Sequence, residues 1–341
     1  MSYSIEQIDT KTAPEEKLRA LHQLYVEGDA ERIPGDLEMP WEQRLADWRF
    51  SGEYNDIPRW IAWDGDAAIG ASVAYIHLTQ DLDNCWSWAF VTADRRRQGI
   101  GRALFSEAVA FARDSGRKRF GLGVPEKSEF SDLPVKVGLK PVYDERISHL
   151  RTSELDHSLM NSWIERAAER AQDYELLFLP MPVPQEHRER MLSVMEVMNT
   201  APLEDLEEDP FHWTDELLSE IEQREEEKGR VIHICVARHI PSGDFVGYTS
   251  IVFQSLHPKK AHQWDTGVDP AHRNLGLGRW LKAAMIEDFL AQHPEVELIE
   301  TENADSNEPM LNINVAMGFK PALAEIIYQG QTETVANHLG L

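Results

Sequence analysis

The sequence predicts an α/β fold in which one domain occurs twice in tandem. At 341 residues, the chain is long enough for two domains of ordinary size, each with its own core. A strand, a glycine loop that begins with arginine and a helix follow one another at two places, 177 residues apart. Self-similarity at one fixed offset indicates a duplicated unit.

The clearer of the two motifs lies at 261–289. A short strand and a turn lead into the loop 273–278, which opens directly into an amphipathic helix. This arrangement directs several backbone N–H groups and a helix N-terminus at one point, as pyrophosphate sites commonly do. Gly276 allows close approach of the backbone, and Arg273 and Arg279 add positive charge. A turn with a purely structural role would leave the same pattern.

The other motif, with its strand at 84–91 and its loop at 96–101, repeats this pattern. Four pairs of residues share the offset: Val91 with Val268, Arg96 with Arg273, Gly99 with Gly276, and Gly101 with Gly278. Gly70 and Gly247, which stand in the preceding apolar segments, share it as well. Because the similarity extends beyond the loop, we expect the whole domain to be duplicated.

The motif resembles that of the GCN5-related N-acetyltransferase (GNAT) superfamily, in which a strand, Arg-x-x-Gly-x-Gly and a helix are followed by a further strand and a closing Gly-Phe, here Gly318-Phe319. The second half is more closely similar to tandem acetyltransferases that include mycothiol synthase-like proteins. The residues that carry this likeness are Met198-Asn199-Thr200-Ala201-Pro202, Gln263-Trp264-Asp265-Thr266, His272-Arg273, Leu281-Lys282 and the polar run 301–319. The resemblance covers most of 172–330 and, more loosely, 1–150. It implies an acyl-CoA N-acyltransferase fold in each half, with a mixed, mostly antiparallel sheet flanked by helices.

The predicted domain limits follow the repeat. Residues 1–152 form a first GNAT-like domain, which we expect to be degenerate, and residues 173–341 form a second, in which we expect the chemistry. Residues 153–172 are predicted to be a connecting helix, because apolar residues recur there at near-heptad spacing.

The resemblance implies acetyl-CoA as the co-substrate. In the family, the glycine loop holds the pyrophosphate through backbone N–H groups, and the preceding strand pairs with the pantetheine arm and polarises the thioester carbonyl. The implied cofactor-binding residues of the second half are Val268, Arg273, Asn274, Gly276, Leu277, Gly278, Arg279 and Asn307. Those of the first half are Val91, Arg96, Arg97, Gln98, Gly99 and Gly101. Asn307 also has the features of a helix N-cap, because glutamate and proline follow it.

Asp265 is the candidate general base. It stands three residues before Val268, on the strand beside the expected thioester, where a carboxylate can take a proton from an amine directly or through water. Its first-half counterpart is Trp88, which cannot do so, and this asymmetry favours the second domain as the catalytic one. A turn or cap role is the alternative for Asp265. Weaker candidates for the base are His262, Glu300 and Glu302.

The expected general acid is missing. Many family members carry a tyrosine four residues before the glycine of the closing Gly-Phe, whereas this chain has Asn314 there and Pro134 in the first half. An asparagine can donate a hydrogen bond to a thiolate but cannot protonate it. Either the thiolate leaves without a protein acid, or Tyr248 or Tyr328 reaches the site from elsewhere.

Composition limits the partners of the chain. Lys and Arg number 34 against 59 Asp and Glu, for a net charge of −25, which argues against nucleic acid because phosphate binding needs a basic surface. This acidity suits a cationic small substrate, or solubility alone. Cys85 and Cys235 stand in different halves and offer neither a disulfide framework nor metal-ligand spacing, so we expect no metal. With no signal peptide and no apolar run of about 18 residues, we expect a cytoplasmic monomer or homodimer without a membrane partner.

These observations predict an N-acetyltransferase that moves an acetyl group from acetyl-CoA to a primary amine of a small molecule. Direct attack is expected, because no cysteine or serine stands in a convincing nucleophile context. A non-catalytic acyl-CoA-binding or regulatory protein of the same fold is the alternative, consistent with the missing tyrosine. A third possibility keeps the fold and changes the acyl donor. The sequence does not identify the acceptor amine.

Overall fold

The computed structural model describes residues 3–341, which alternate between strands and helices. The elements of the first half are β1 (Ser4–Ile8), α1 (Glu15–Arg32), α2 (Trp41–Arg49), β2 (Asn55–Asp56), β3 (Arg59–Asp64), β4 (Ala67–His77), β5 (Asn84–Val91), α3 (Ile100–Asp114), β6 (Arg119–Pro125), α4 (Leu133–Lys136) and β7 (Lys140–Arg151). Those of the second half are α5 (His157–Arg170), β8 (Tyr174–Leu179), α6 (Gln185–Met195), α7 (Asp215–Glu227), β9 (Arg230–His239), β10 (Phe245–Gln254), β11 (Lys260–Val268), α8 (Leu277–Gln292), β12 (Leu298–Ala304), α9 (Glu308–Met317), β13 (Lys320–Gln331) and α10 (Thr332–Leu339).

The described chain forms two compact units that are not contiguous in sequence. The first unit comprises residues up to 145 together with 203–210 and 323–341, and the second comprises 146–202 and 211–322. Each unit thus contains most of one predicted repeat, but the end of the chain belongs to the first unit. The domain limits 1–152, 153–172 and 173–341 stay a prediction. The compact units are built from segments that alternate along the chain.

In the first unit, one sheet has the strand order β1-β3-β4-β5-β6-β13. Its recorded pairings are antiparallel except for the parallel pair β5–β6. Helix α1 buries Leu18, Leu21 and Leu24 against one face, because this spacing places them on one side of a helix. Helices α3 and α10 cover a second apolar cluster that contains Leu104 and Val335. The last strand and helix of the chain therefore complete the core of this unit.

The second unit repeats this design with the strand order β7-β12-β11-β10-β9-β8. Every residue of β10 is buried, because helices cover both faces of the sheet. Alternate residues of β10 point to opposite sides. Ile251 packs in the cluster with α5 and α8, and Tyr248 packs in the cluster with α6 and α7. The predicted mixed, mostly antiparallel sheet flanked by helices is thus confirmed. Among the described residues, no helix has both the length and the apolar character needed to cross a membrane.

The two glycine loops have the same backbone conformation. Gly99 and Gly276 are the N-caps of α3 and α8, with φ of 84° and 86°. Two residues earlier, Arg97 and Asn274 also have positive φ, of 62° and 66°. Positive φ is strained for residues with a Cβ atom, as at Arg97 and Asn274, and glycine at the cap position avoids that strain. The repeat found in the sequence is therefore a repeat of local structure.

Candidate active site

The candidate site lies in the second unit, where the parallel strands β11 and β12 separate. Their pairing runs from Lys260 with Leu298 to Gln263 with Thr301 and then ends, although β11 continues to Val268. The remaining backbone of β11 on that side faces an opening instead of a strand. Peptide N–H and C=O groups at such an opening can pair with an extended ligand.

β11 carries a β-bulge at this opening. Thr249 pairs with Thr266 and Ile251 with Gln263, so Ser250 alone stands opposite two residues, Trp264 and Asp265. The corresponding pair in the first unit, β4 with β5, keeps one register from Gly70–Val91 to Tyr75–Trp86. The bulge therefore distinguishes the two copies at the position where the sequence places Asp265 in one and Trp88 in the other.

A cavity of about 300 Å³ occupies the opening. Polar side chains from β11 and β12 line it, together with Asn307 at the start of α9 and Lys282 from α8. The lining residues of the two strands include His262, Gln263, Asp265, Glu300, Glu302 and Asn303. Five residues singled out in the sequence thus meet in one space: Asp265, Asn307 and the weaker base candidates His262, Glu300 and Glu302.

Asp265 is held by Tyr248. The phenol of Tyr248, 1% exposed, donates a hydrogen bond of 2.7 Å to the Asp265 carboxylate. Burial raises the pKa of Asp265, and the hydrogen bond from Tyr248 opposes this only in part. Burial, followed by the charge of Asp265, raises the pKa of Tyr248, so the phenol stays protonated as a donor. A fixed carboxylate with raised basicity is what a general base requires.

The two tyrosines considered as general acids therefore have other partners. Tyr248 is committed to Asp265. Tyr328 belongs to the first unit, where its hydroxyl donates to the carbonyl oxygen of Ser131 at 3.3 Å.

Asn314 takes part in a chain of buried polar groups. The Lys282 ammonium, 1% exposed, donates to Asn314 Oδ1 at 2.7 Å, and Asn314 Nδ2 donates to Asn303 Oδ1 at 2.6 Å. The ammonium also lies 5.4 Å from the centre of the Phe319 ring. Burial lowers the pKa of Lys282 to about 7. Among the described residues, no carboxylate forms an ion pair with it.

Sequence reasoning noted Lys282 only as part of the family likeness and missed it as a site residue. A signal was present. Lys282, Ile286 and Phe289 recur at helical spacing on α8, so the lysine occupies the apolar stripe that packs against the sheet. A lysine in such a position is buried by the fold unless its stem can reach the surface.

Glu300 is less suited to act as a base. Its carboxylate contacts Lys260 at 2.9 Å, His149 at 2.7 Å and His262 at 3.3 Å. Burial would raise its pKa, but the hydrogen bonds from His149 and His262 and the charge of Lys260 outweigh this and lower it. Glu300 therefore stays ionised and paired, and positions His262 at the cavity wall.

The second glycine loop presents an open anion site. The Arg273 guanidinium donates to the Val268 carbonyl at 2.8 Å and to Thr200 Oγ1 at 2.6 Å, and no carboxylate of the described chain pairs with it. No side chain caps α8, so the N–H groups of its first turn are available to a ligand. The Leu277 side chain is buried in the core, so only its backbone can serve.

The remaining predicted residues of this half have structural partners. Arg279 is exposed, with its guanidinium 5.5 Å from the centre of the Trp163 ring. Asn307 caps α9 by accepting a hydrogen bond from the Met310 N–H at 3.3 Å, as its sequence context indicated, and it also lines the cavity.

The comparisons with known proteins agree with this geometry. The chain matches the acetyltransferase (GNAT) family over residues 18–130 and 199–319. It belongs to the GNAT family. Among curated proteins, none matches the sequence significantly. Among solved structures, a tandem GNAT protein from the clavulanic acid biosynthesis pathway, without acetyl-CoA, aligns with a TM-score of 0.77 at 22% identity and covers 97% of this chain and 99% of its own.

A second GNAT structure, from Sphaerobacter thermophilus, aligns with a TM-score of 0.68 at 14% identity over 97% of this chain and 96% of its own. The predicted family and its tandem arrangement are therefore confirmed. The closer likeness to mycothiol synthase-like proteins stays a prediction.

In the first GNAT unit the corresponding strands separate at the same point, but aromatic residues stand there instead of polar ones. The pairing of β5 with β6 ends at Trp86 and Gly121, as in the second unit, yet the Trp86 ring covers Gly121 so closely that any side chain there would collide with it. Trp88, the counterpart of Asp265, packs 4.8 Å from Tyr25 and stacks on Phe90. Aromatic residues thus stand at the positions that correspond to Gln263 and Asp265, which line the cavity of the second unit.

The arginines of the first loop are already paired. Arg96 donates to the Val91 carbonyl at 3.0 Å, just as Arg273 donates to the corresponding Val268 carbonyl. Unlike Arg273, Arg96 also contacts two carboxylates, those of Glu31 and Glu129. Arg97 forms an ion pair with Glu129 at 3.0 Å. A pyrophosphate would have to displace these carboxylates. Of the remaining predicted residues, Gln98 donates to the carbonyl of Asp94, and a Cβ atom at Gly101 would lie 3.6 Å from the Val91 side chain.

Proposed function

We propose that this GNAT protein transfers an acetyl group from acetyl-CoA to a primary amine of a small molecule, with the chemistry in its second unit. The observation that carries the proposal is the Asp265–Tyr248 pair in the cavity where β11 and β12 separate. Strand β11, which carries Asp265, ends at Val268 and leads into the glycine loop. A base and a site for the acyl donor are thus joined by one strand.

The loop at 273–278 is well suited to hold the pyrophosphate. The N–H groups at the start of α8 carry no side-chain cap, and Arg273, which pairs with no carboxylate of the described chain, lies in the loop just before them. The helix dipole also favours an anion at this N-terminus. The exposed backbone edge of β11 offers hydrogen bonds to the pantetheine arm and a donor for the thioester carbonyl. Asn307 adds a polar group to the cavity wall.

Asp265 would then take the proton that the amine loses as it attacks the thioester. Tyr248 fixes the carboxylate for this role, and burial raises the pKa of Asp265 toward the range in which a base is effective at neutral pH. Trp264, 42% exposed beside Asp265, offers an aromatic face to a cationic amine. A small cationic acceptor accords with these features.

Isothermal titration of acetyl-CoA into the full chain tests this assignment. We expect one binding site per chain, lost in Gly276→Glu and retained in Gly99→Glu. The second variant is a matched control, because both glycines have φ near 85° and neither has a neighbouring atom within 4 Å of a built Cβ. Backbone strain and added charge are therefore equal, and the two variants differ only in which loop receives the charge.

Other results would change the assignment. Two sites, each lost with its own variant, would mean that the first unit also binds the donor despite its paired arginines. No binding to the wild-type chain would make both loops structural and remove the acetyltransferase proposal. Binding without release of CoA across a broad panel of amines would favour the alternative, a non-catalytic acyl-CoA-binding protein.

A further inference from the structure

The proposed reaction still lacks a residue that stabilises or protonates the sulfur of the leaving CoA. When the amine displaces CoA, the C–S bond breaks and the sulfur keeps the electron pair, so a nearby proton donor or positive charge lowers the barrier. The position where many GNAT proteins have a tyrosine holds Asn314, which has no proton to give. In this chain, however, the oxygen of Asn314 lies 2.7 Å from an ammonium group.

That ammonium reaches the cavity from the side of the sheet opposite to the base. Lys282 comes from α8, which packs on one face, whereas Tyr248 holds Asp265 from the cluster of α6 and α7 on the other face. Both Lys282 and Asp265 line the cavity. An acid and a base on either side of a reacting carbonyl can serve the two proton transfers of acyl transfer to an amine.

We propose that Lys282 is the general acid of this reaction, protonating the CoA sulfur as the thioester breaks, with Asn314 holding the ammonium in place. The proposal rests on the proposed acetyltransferase function. As the amine nitrogen bonds to the carbonyl carbon, Asp265 accepts the proton that the nitrogen loses. The sulfur takes the electron pair of the C–S bond and a proton from Lys282. Lys282 then takes up a proton from solvent and Asp265 releases one to solvent, so that no further reactant is needed.

The environment of Lys282 favours proton donation over a purely structural role. A buried cation is costly unless it is paired, and its recorded partner is a neutral amide. The titratable groups on the same cavity wall are His262, Asp265, Glu300 and Glu302. Of these, Glu300 is engaged by Lys260, His149 and His262, and Asp265 by Tyr248. Burial, which lowers the pKa of Lys282 to about 7, makes its proton easy to transfer at neutral pH.

The thiol of bound CoA provides a test that needs no acceptor amine. CoA is mixed with an excess of the full chain, and its thiolate absorbance is followed as the pH is raised, with the protein alone subtracted. An ammonium beside the sulfur should lower the pKa of the bound thiol by about 1–3 units relative to free CoA. Lys282→Met should abolish this shift while CoA still binds. Lys259→Met is the control, because Lys259 is exposed and paired with Glu297.

The outcomes separate this proposal from the function on which it rests. CoA that binds with an unshifted thiol, or with the same shift in Lys282→Met, would overturn Lys282 as the acid and leave the acetyltransferase assignment standing. CoA that does not bind would overturn both. If Lys282→Met does not fold, Lys282→Gln keeps a polar partner for Asn314 without the charge, and the wild-type comparison with free CoA needs no variant.

Discussion

Replacing Asp265 by asparagine should lower the rate of acetyl transfer by ~10²–10⁴-fold and leave the affinity for acetyl-CoA unchanged, because the variant removes the base and nothing else. Asparagine has the same shape, and its amide oxygen can still accept the hydrogen bond from Tyr248. The rate is measured as release of the CoA thiol with an amine from an acceptor screen, and the affinity by titration. A rate within a few-fold of wild type would show that another group takes the proton. Asp173→Asn, at an exposed position of the same unit, is the control.

Tyr248→Phe adds a pH-dependent readout. The base works only when ionised, so activity falls as the pH drops through the pKa of Asp265. The hydrogen bond from Tyr248 lowers that pKa, so its removal should raise the pKa of Asp265 and move the acidic limb of the rate profile to higher pH. A limb that stays in place would mean that Asp265 does not set it.

The second large effect concerns stability and arises from the same burial that makes Lys282 a proton donor. Its pKa of about 7 lies below the ordinary value of 10.5, so between these pH values the unfolded chain binds a proton that the folded chain does not. The wild-type free energy of unfolding should therefore rise with pH across this window. Lys282→Met has no such proton, so wild type should gain roughly 3–4 kcal/mol relative to this variant between about pH 7 and about pH 10.

Urea unfolding of both proteins at several pH values measures this difference. The difference in pH dependence isolates Lys282, because every other titrating group is common to both chains. At neutral pH two effects of the variant oppose each other: it removes the cost of the buried charge, and it removes the hydrogen-bond donor to Asn314, which costs about 1–3 kcal/mol. The stability difference at a single pH is therefore a weaker test of the Lys282 pKa than the pH dependence. Parallel pH profiles would mean that Lys282 has its ordinary pKa in the folded protein.

The glycine loops were predictable because their requirement is local. Glycine is strongly favoured where a residue caps α8 in the left-handed region, and that preference is visible at Gly276 and again at Gly99. The capping role of Asn307 was predictable for the same kind of reason, because glutamate and proline follow it at the start of a helix. Local backbone chemistry leaves a direct trace in sequence.

The partners of the catalytic candidates were not predictable in this way. Tyr248 meets Asp265 only because β10 and β11 pair in the register that sets Tyr248 opposite Gly267, two residues from Asp265. No periodicity in the sequence marks that register or the bulge beside it. The role of Lys282 depends on three elements, α8, α9 and β12, meeting around its ammonium. Such arrangements come from tertiary packing. A sequence repeat can indicate the fold that produces this packing, but it does not specify which side chains meet.

The place of the last strand in the fold affects how the protein can be made. Residues 325–331 of β13 pair with β6 in the first unit, and α10 buries Val335 and Ala336 beside α3. The first unit therefore cannot close until residues 323–341 have been synthesised. A fragment ending at residue 152 would expose the edge of β6 and an apolar patch, both of which promote aggregation. Anyone wishing to study that unit alone would have to join 323–341 to it by rearranging the gene, since cutting the chain in half cannot yield it.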